Sequence, residues 1–249
     1  MVDRWKVGGG TTAFVRSTER KSHAPKRVVN IMATLSEENP LLMAQILPQT
    51  TGWEGQSHSP YVLKPLSRES AEFKQVESQF ERTNRGLTIV QVNRVENPFL
   101  WGQYLLKKEK MKAANSNVKE VSLFHGTRKS NVDGICHYNF DWRRCGQSRG
   151  HKFGRGVSFT PEVSYARHYT FNENVMILAK VLVGRTIFGN SLTVVPPSSY
   201  DTTINSKGTV YVKYEDNEFY PQYVIHYRNR TIYDLSDLRF NLTVADLSD

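Results

Sequence analysis

The tetrapeptide Phe124-His125-Gly126-Thr127 sits where a β-like run over 118–124 gives way to a helix-like run over 129–140. A lone histidine is usually just a satisfied polar residue. One placed between a strand and a helix, with glycine behind it, is a candidate site residue. The glycine fits either an ordinary strand-end turn or a point where main chain must be approached closely. About thirty residues later comes Phe153-Gly154-Arg155-Gly156-Val157-Ser158-Phe159, and then a short segment that ends in Tyr169. Two further β-like segments follow, at 209–214 and 220–227, and the stretch 215–217 between them looks like a hairpin break.

The rest of the chain can be divided around these landmarks. Residues 1–50 have weak periodicity, a Gly8-Gly9-Gly10 run and a basic cluster (Arg16, Arg20, Lys21, Lys26, Arg27), and read as a mobile extension. A helix is expected within 37–47. The cluster suits nucleic acid or a nuclear address, and a solvated tail has the same composition. The ordered domain is expected over 53–230, with a tail at 231–249. Ser67 opens a capped helix that carries Phe73, Val76 and Phe80 on one face and ends at 84–86. A strand follows, with Leu87, Ile89, Gln91 and Asn93 on one side and Thr88, Val90 and Val92 on the other. Asn97-Pro98 starts a second helix, with Asn as N-cap and Pro at its first position. Trp101, Tyr104 and Leu105 give that helix an apolar face, and its far end is lysine-rich, which complements the helix dipole. The run 175–183 is too apolar for an exposed strand. Residues 196–206 read as a turn-rich connection.

Charge and cysteine usage narrow the setting. The chain has 249 residues and a net charge of +9, which favours acidic or phosphorylated partners. Its two cysteines, Cys136 and Cys145, make no disulfide framework and point to a reducing compartment. Cys136 follows Val132 and Ile135 at helical spacing and reads as a core residue. Together with Cys145 and His151 it falls one ligand short of a closed structural zinc site, so no metal is expected. No apolar stretch approaches the ~20 residues of a membrane span, and the N-terminus lacks a secretory signal. An intracellular protein, nuclear or cytoplasmic, is expected.

The order of segments from about 61 to 227 resembles the catalytic domain of the poly(ADP-ribose) polymerases, the diphtheria-toxin-like ADP-ribosyltransferases. Asn139-Phe140-Asp141-Trp142-Arg143, Val181-Leu182-Val183-Gly184-Arg185 and Tyr220-Pro221-Gln222-Tyr223-Val224-Ile225 are most similar to the mono-ADP-ribosyltransferase branch that includes zinc-finger and WWE members. The resemblance implies an α+β ADP-ribosyltransferase fold, with antiparallel-rich twisted sheets and flanking helices. It implies NAD as substrate and acceptor proteins as partners. By the same resemblance His125 donates a hydrogen bond to a ribose of NAD and orients it, Gly126 offers main chain to the nicotinamide carboxamide, Thr127 completes the motif and Tyr169 stacks on the nicotinamide ring. Arg143, with Arg144, Arg149 and Lys152, suits the pyrophosphate.

Three positions depart from the family pattern. Ser158 stands where the family has a second stacking Tyr. Ala166 stands where it has a Ser that hydrogen-bonds the nicotinamide amide. Each of these two losses is worth about 0.5–1.5 kcal/mol, so together they weaken NAD binding about 5- to 150-fold. Val210 takes the place of the polymerase Glu, and with no lone pair it argues against chain growth. Two functions are consistent with this set: an NAD-dependent protein mono-ADP-ribosyltransferase, or a weakened relative that acts as a binding module.

Overall fold

Two helices owe their starts to single side chains. In the computed structural model, which describes Trp53 and residues 60–115, 117–144 and 151–230, helix α1 (Ala71–Glu81) begins after Ser70, whose Oγ accepts the Phe73 N–H at 3.1 Å. The cap is therefore Ser70 and not Ser67. The Ser67 hydroxyl bonds the Glu69 carboxylate, while its carbonyl accepts from Ser70 and closes the preceding turn. Helix α2 (Pro98–Ala114) begins as its sequence predicts, with Asn97 Oδ1 accepting from Phe99 and Leu100 at 3.1 Å each. Its lysines do more than face the helix dipole: Lys107 pairs with Glu215 and Glu218, and Lys108 pairs with Glu120. The expected extension over 1–50, the helix within it and the 231–249 tail lie outside the described residues.

Among the described residues nine strands form two sheets. The larger is antiparallel in the order β1 (Val62–Pro65), β2 (Leu87–Glu96), β9 (Phe219–Asn229), β5 (Val175–Val183), β3 (Lys119–Gly126). The smaller has the order β4 (Val157–Phe159), β8 (Tyr211–Lys213), β7 (Thr202–Ile204), β6 (Thr186–Phe188), with β6 and β7 parallel. The expected hairpin across 215–217 is not one. Asn217 takes φ +66 and the chain leaves the small sheet at β8 to enter the large one at β9. The connection expected over 196–206 contains β7. The alternation expected along β2 breaks at Val90, which is 49% exposed, because the ladder to β9 slips there. The bulge turns Val92 onto the face of Leu87 and Ile89, and Val95 is buried on the other face.

Both faces of the large sheet are covered, which explains why β5 is apolar along almost its whole length. On one face α1 packs Phe73, Val76 and Phe80 against Leu87, Ile89, Phe124 and Ile225. On the other, helix α3 (Lys129–Tyr138) contributes Cys136, which joins Phe140, Phe159, Ile177 and Phe219. Each fully buried side chain of this size contributes about 1.5–3 kcal/mol.

Polar contacts also join the sheets. Phe124 and Thr160 exchange main-chain hydrogen bonds of 2.7 and 2.9 Å, joining the end of β3 to the end of β4. Lys213 on β8, with no exposed surface, reaches Asp201 and Thr202 beside β7 and Glu218 just before β9. Burial pushes the Glu218 carboxyl up and the Lys213 ammonium opposes it.

Candidate active site

Because Phe124 is bridged to Thr160, the next residue on β3 lies against β4. The His125 Nδ1 is 2.9 Å from the Ser158 carbonyl oxygen. A carbonyl only accepts, so in the neutral ring Nδ1 carries the proton and Nε2 is left as an acceptor, the reverse of the donor role that the resemblance implies. The ring is held edge-on by Phe140 at 4.9 Å between centroids, and tilted against Phe159 at 5.6 Å. Burial lowers the His125 pKa, with the Ser158 carbonyl opposing, and the imidazole is neutral near pH 7. Residue 158 thus serves the site through its main chain, whatever its side chain.

Gly126 is required by packing. A Cβ there would lie 1.9 Å from the Ala166 carbonyl oxygen and 3.0 Å from the Tyr169 Cβ. Its missing side chain lets the short helix α4 (Val163–Arg167) lie directly on the end of β3. The Ala166 side chain is sealed into the apolar cluster under that helix. Thr127 is buried, and its hydroxyl accepts from Asn131 Nδ2 at 3.2 Å at the head of α3.

Tyr169 follows the last turn of α4, and its partner is Tyr165. The hydroxyls are 3.2 Å apart and the ring centroids 5.6 Å. Burial, then the contact with Tyr169, pushes the Tyr165 phenol up, so it keeps its proton. Tyr165 also packs, with Phe153, against Val210, Val212 and Tyr214 of the small sheet. Val210 is 1% exposed beneath that cover. Asn205 Oδ1 accepts from the Thr209 and Val210 amides at 2.7 and 3.0 Å and fixes the approach to β8. Gly154 takes φ +135, and a Cβ there would lie 1.7 Å from the Tyr214 hydroxyl.

His125, Gly126, Ala166 and Tyr169 are therefore neighbours, with Ser158 on one side and Val210 behind Tyr165. Arg143 has other partners: its guanidinium pairs with Asp141 at 3.0 Å and Asp216 at 2.7 Å and is 5.4 Å from the Trp142 ring centroid. Two exposed carboxylates therefore share the Arg143 guanidinium. Cys145 and Arg149 lie outside the described residues. Sequence reasoning assigned no role to Tyr165 or to Asn205. Their signals were an aromatic four residues before Tyr169 and an Asn opening the turn Asn205-Ser206-Lys207-Gly208.

The poly(ADP-ribose) polymerase catalytic domain family matches residues 70–210 of the chain. Among characterised proteins the chain is similar to protein mono-ADP-ribosyltransferase PARP12 of Homo sapiens, 38% identical over 176 residues, or 65% of this chain and 25% of PARP12. It is similar to protein mono-ADP-ribosyltransferase PARP11 of Mus musculus, 29% identical over 218 residues, or 74% of this chain and 66% of PARP11. Similarity to protein mono-ADP-ribosyltransferase PARP14 of Homo sapiens is 27% over 193 residues, or 71% of this chain and 11% of PARP14. The chain spans about a quarter of the length of the PARP12 proteins it matches. Among the described residues no helix is long and apolar enough to cross a membrane.

Proposed function

The chain belongs to the poly(ADP-ribose) polymerase catalytic domain family, and from that premise we propose that it transfers a single ADP-ribose from NAD to a protein side chain and releases nicotinamide. The observation that carries this reading is the His125–Ser158 hydrogen bond. It leaves a neutral imidazole with Nε2 as acceptor, the form suited to a ribose hydroxyl.

The bond that breaks joins the nicotinamide nitrogen to the ribose, and its electron pair leaves with the nitrogen. Nicotinamide departs neutral, so no strong general acid is needed. The transition state resembles the oxocarbenium ion of glycoside hydrolysis. What the protein supplies is orientation and a surface for the ring. His125 orients the ribose, Gly126 leaves the main chain open, and Tyr169 with Tyr165 offers aromatic surface. Tyr165 stands over the Val210–Val212 patch, which supports it as the second aromatic surface where Ser158 has none. Val210 has no lone pair to activate an ADP-ribose hydroxyl, which favours single transfer. An acceptor carboxylate supplies its own nucleophile and its own negative charge.

A second reading, a non-catalytic binding module, is favoured by one observation. The Ala166 side chain lies in the core and offers the nicotinamide amide no hydroxyl. Intact-mass spectrometry after incubation with millimolar NAD separates the two readings. An ADP-ribose adduct on the chain or an added acceptor, absent in His125→Ala, is the expected result. No adduct from folded protein on either supports the binding module. Tyr165→Ala is expected to weaken NAD binding about 2- to 10-fold. An unchanged affinity removes Tyr165 from the site.

A further inference from the structure

Two residues after Tyr169 the chain does something that the proposed reaction does not use. Phe171, Asn172 and Asn174 take φ of +52, +62 and +55. Left-handed backbone at a bulky residue such as Phe is rare and unfavourable. The turn is nevertheless firmly built. Thr170 is fully buried, its hydroxyl 2.7 Å from the Tyr227 hydroxyl and donating to the Arg167 carbonyl at 2.9 Å. Glu173 N–H donates to the Thr170 carbonyl, and Tyr227 N–H to that of Asn174. The result is an aromatic ring held half out in water, 50% exposed, with the Arg128 guanidinium 3.8 Å from its centroid.

Phe171 lines a cleft of about 480 Å³ together with Arg85, Arg167 and His168. No carboxylate lines it among the described residues. Arg167 spends one hydrogen bond on a neutral partner, Asn229 Oδ1 at 2.8 Å, so its charge is not neutralised there. Cavities of this volume suit small ligands and not a folded partner. Guanidinium groups match phosphate oxygens in pairs, and an exposed aromatic face stacks on a nucleobase.

We propose that this cleft is a binding site for a nucleoside phosphate, separate from the nicotinamide site. The phosphate lies between Arg85 and Arg167, and the base lies against Phe171. The proposal does not depend on the transferase reading, because it uses none of His125, Gly126 or Tyr169.

Calorimetric titration of the full chain with AMP, adenosine and inorganic phosphate tests it. AMP is expected to bind at least tenfold tighter than either fragment, because only AMP engages both the ring and the arginines. Arg85→Gln, on an exposed turn, is expected to weaken AMP roughly tenfold. Phe171→Ala is expected to weaken AMP roughly 5- to 100-fold and leave inorganic phosphate unchanged. Tyr169→Ala is expected to leave AMP binding intact. Loss of AMP binding in Tyr169→Ala would place the nucleotide in the nicotinamide site and overturn the proposal. So would AMP binding indifferent to both Arg85→Gln and Phe171→Ala, phosphate binding as tightly as AMP, or no AMP binding at all.

Discussion

The two sheets meet the site on different terms. The large sheet brings His125 and Gly126 to it on β3, a strand whose neighbours on both faces are core. The small sheet brings Ser158 on β4, with Val210 at the mouth of β8. By the resemblance, His125 and Gly126 are the residues expected on the first side, while Ser158 and Val210 on the second depart from the expected pattern. What survives on the second side is main chain, in the Ser158 carbonyl under His125 and the Val210 amide held by Asn205. A role carried by a peptide group tolerates substitution, while a role carried by a side chain does not.

Restoring an acid at the small sheet should break this comparison hardest. Val210→Glu places a carboxylate beneath Tyr165 with no cation described beside it. A loss of about 3–5 kcal/mol is expected near neutral pH. The buried carboxyl would titrate above its ordinary value, so the loss should shrink as pH falls and the group protonates. Thermal melts at pH 5 and pH 8 check this. If Val210→Glu keeps wild-type stability, the burial argument fails; if it also forms polymer, Val210 is the residue that limits the chain to single transfer.

Gly126→Ala comes next. The methyl group must displace α4, a strain of about 1–3 kcal/mol, and each kcal/mol lowers the melting temperature by about 2–4 °C in a domain of this size. An unchanged melting temperature would mean that α4 is free to move off β3.

His125→Gln tests the tautomer. Gln keeps an acceptor oxygen but not the ring-fixed position of Nε2, so ADP-ribose transfer is expected to slow about 5- to 150-fold, the equivalent of about one to three kcal/mol. The same variant reports on pH. The folded His125 pKa lies below its unfolded value, so the unfolded chain binds the extra proton first. Stability from this residue is therefore complete above about pH 6.5 and declines as pH falls towards the folded pKa. His226 is lowered in the same direction, by burial and then by Lys129. The fall in melting temperature between pH 7 and pH 5 should be smaller in His125→Gln than in wild type. An equal fall would assign it to His226.

The smallest effects belong to residue 158 itself. Ser158→Tyr should tighten NAD by about 2- to 10-fold if the space is open. No gain, combined with a loss in Tyr165→Ala, would show that Tyr165 already fills that role. Ser158→Ala should leave NAD affinity within about twofold, since the carbonyl that holds His125 remains.

Much of this was legible in the sequence because it depends on local rules. The strand-to-helix step at His125, the Asn97 cap and the apolar run of β5 are set by residues adjacent in the chain. The misreadings were non-local. Whether β8 and β9 form a hairpin depends on which strand each finds; β7 lies just before β8, but β4, β2 and β5 are far away in sequence. The cap at Ser70 was a competition between two serines three residues apart, settled by Ser67 bonding Glu69. The pairing of Arg143 with Asp216 was not legible because the two lie 73 residues apart. Tyr165 acquires its neighbours only once β8 is folded beneath it.

The Lys213 ammonium has a consequence for how the molecule breathes. It is shared between carboxylates at the roots of β7 and β9, so the small sheet cannot peel away strand by strand without exposing a charge that has lost its partners. Opening on that side should behave as one cooperative unit, with the amides of β7 and β8 exchanging their hydrogens together, at a free energy close to that of global unfolding. Any slack needed to admit a dinucleotide must then come from the turns at the sheet's margin, at 205–209 and 153–156, while the strands themselves hold still.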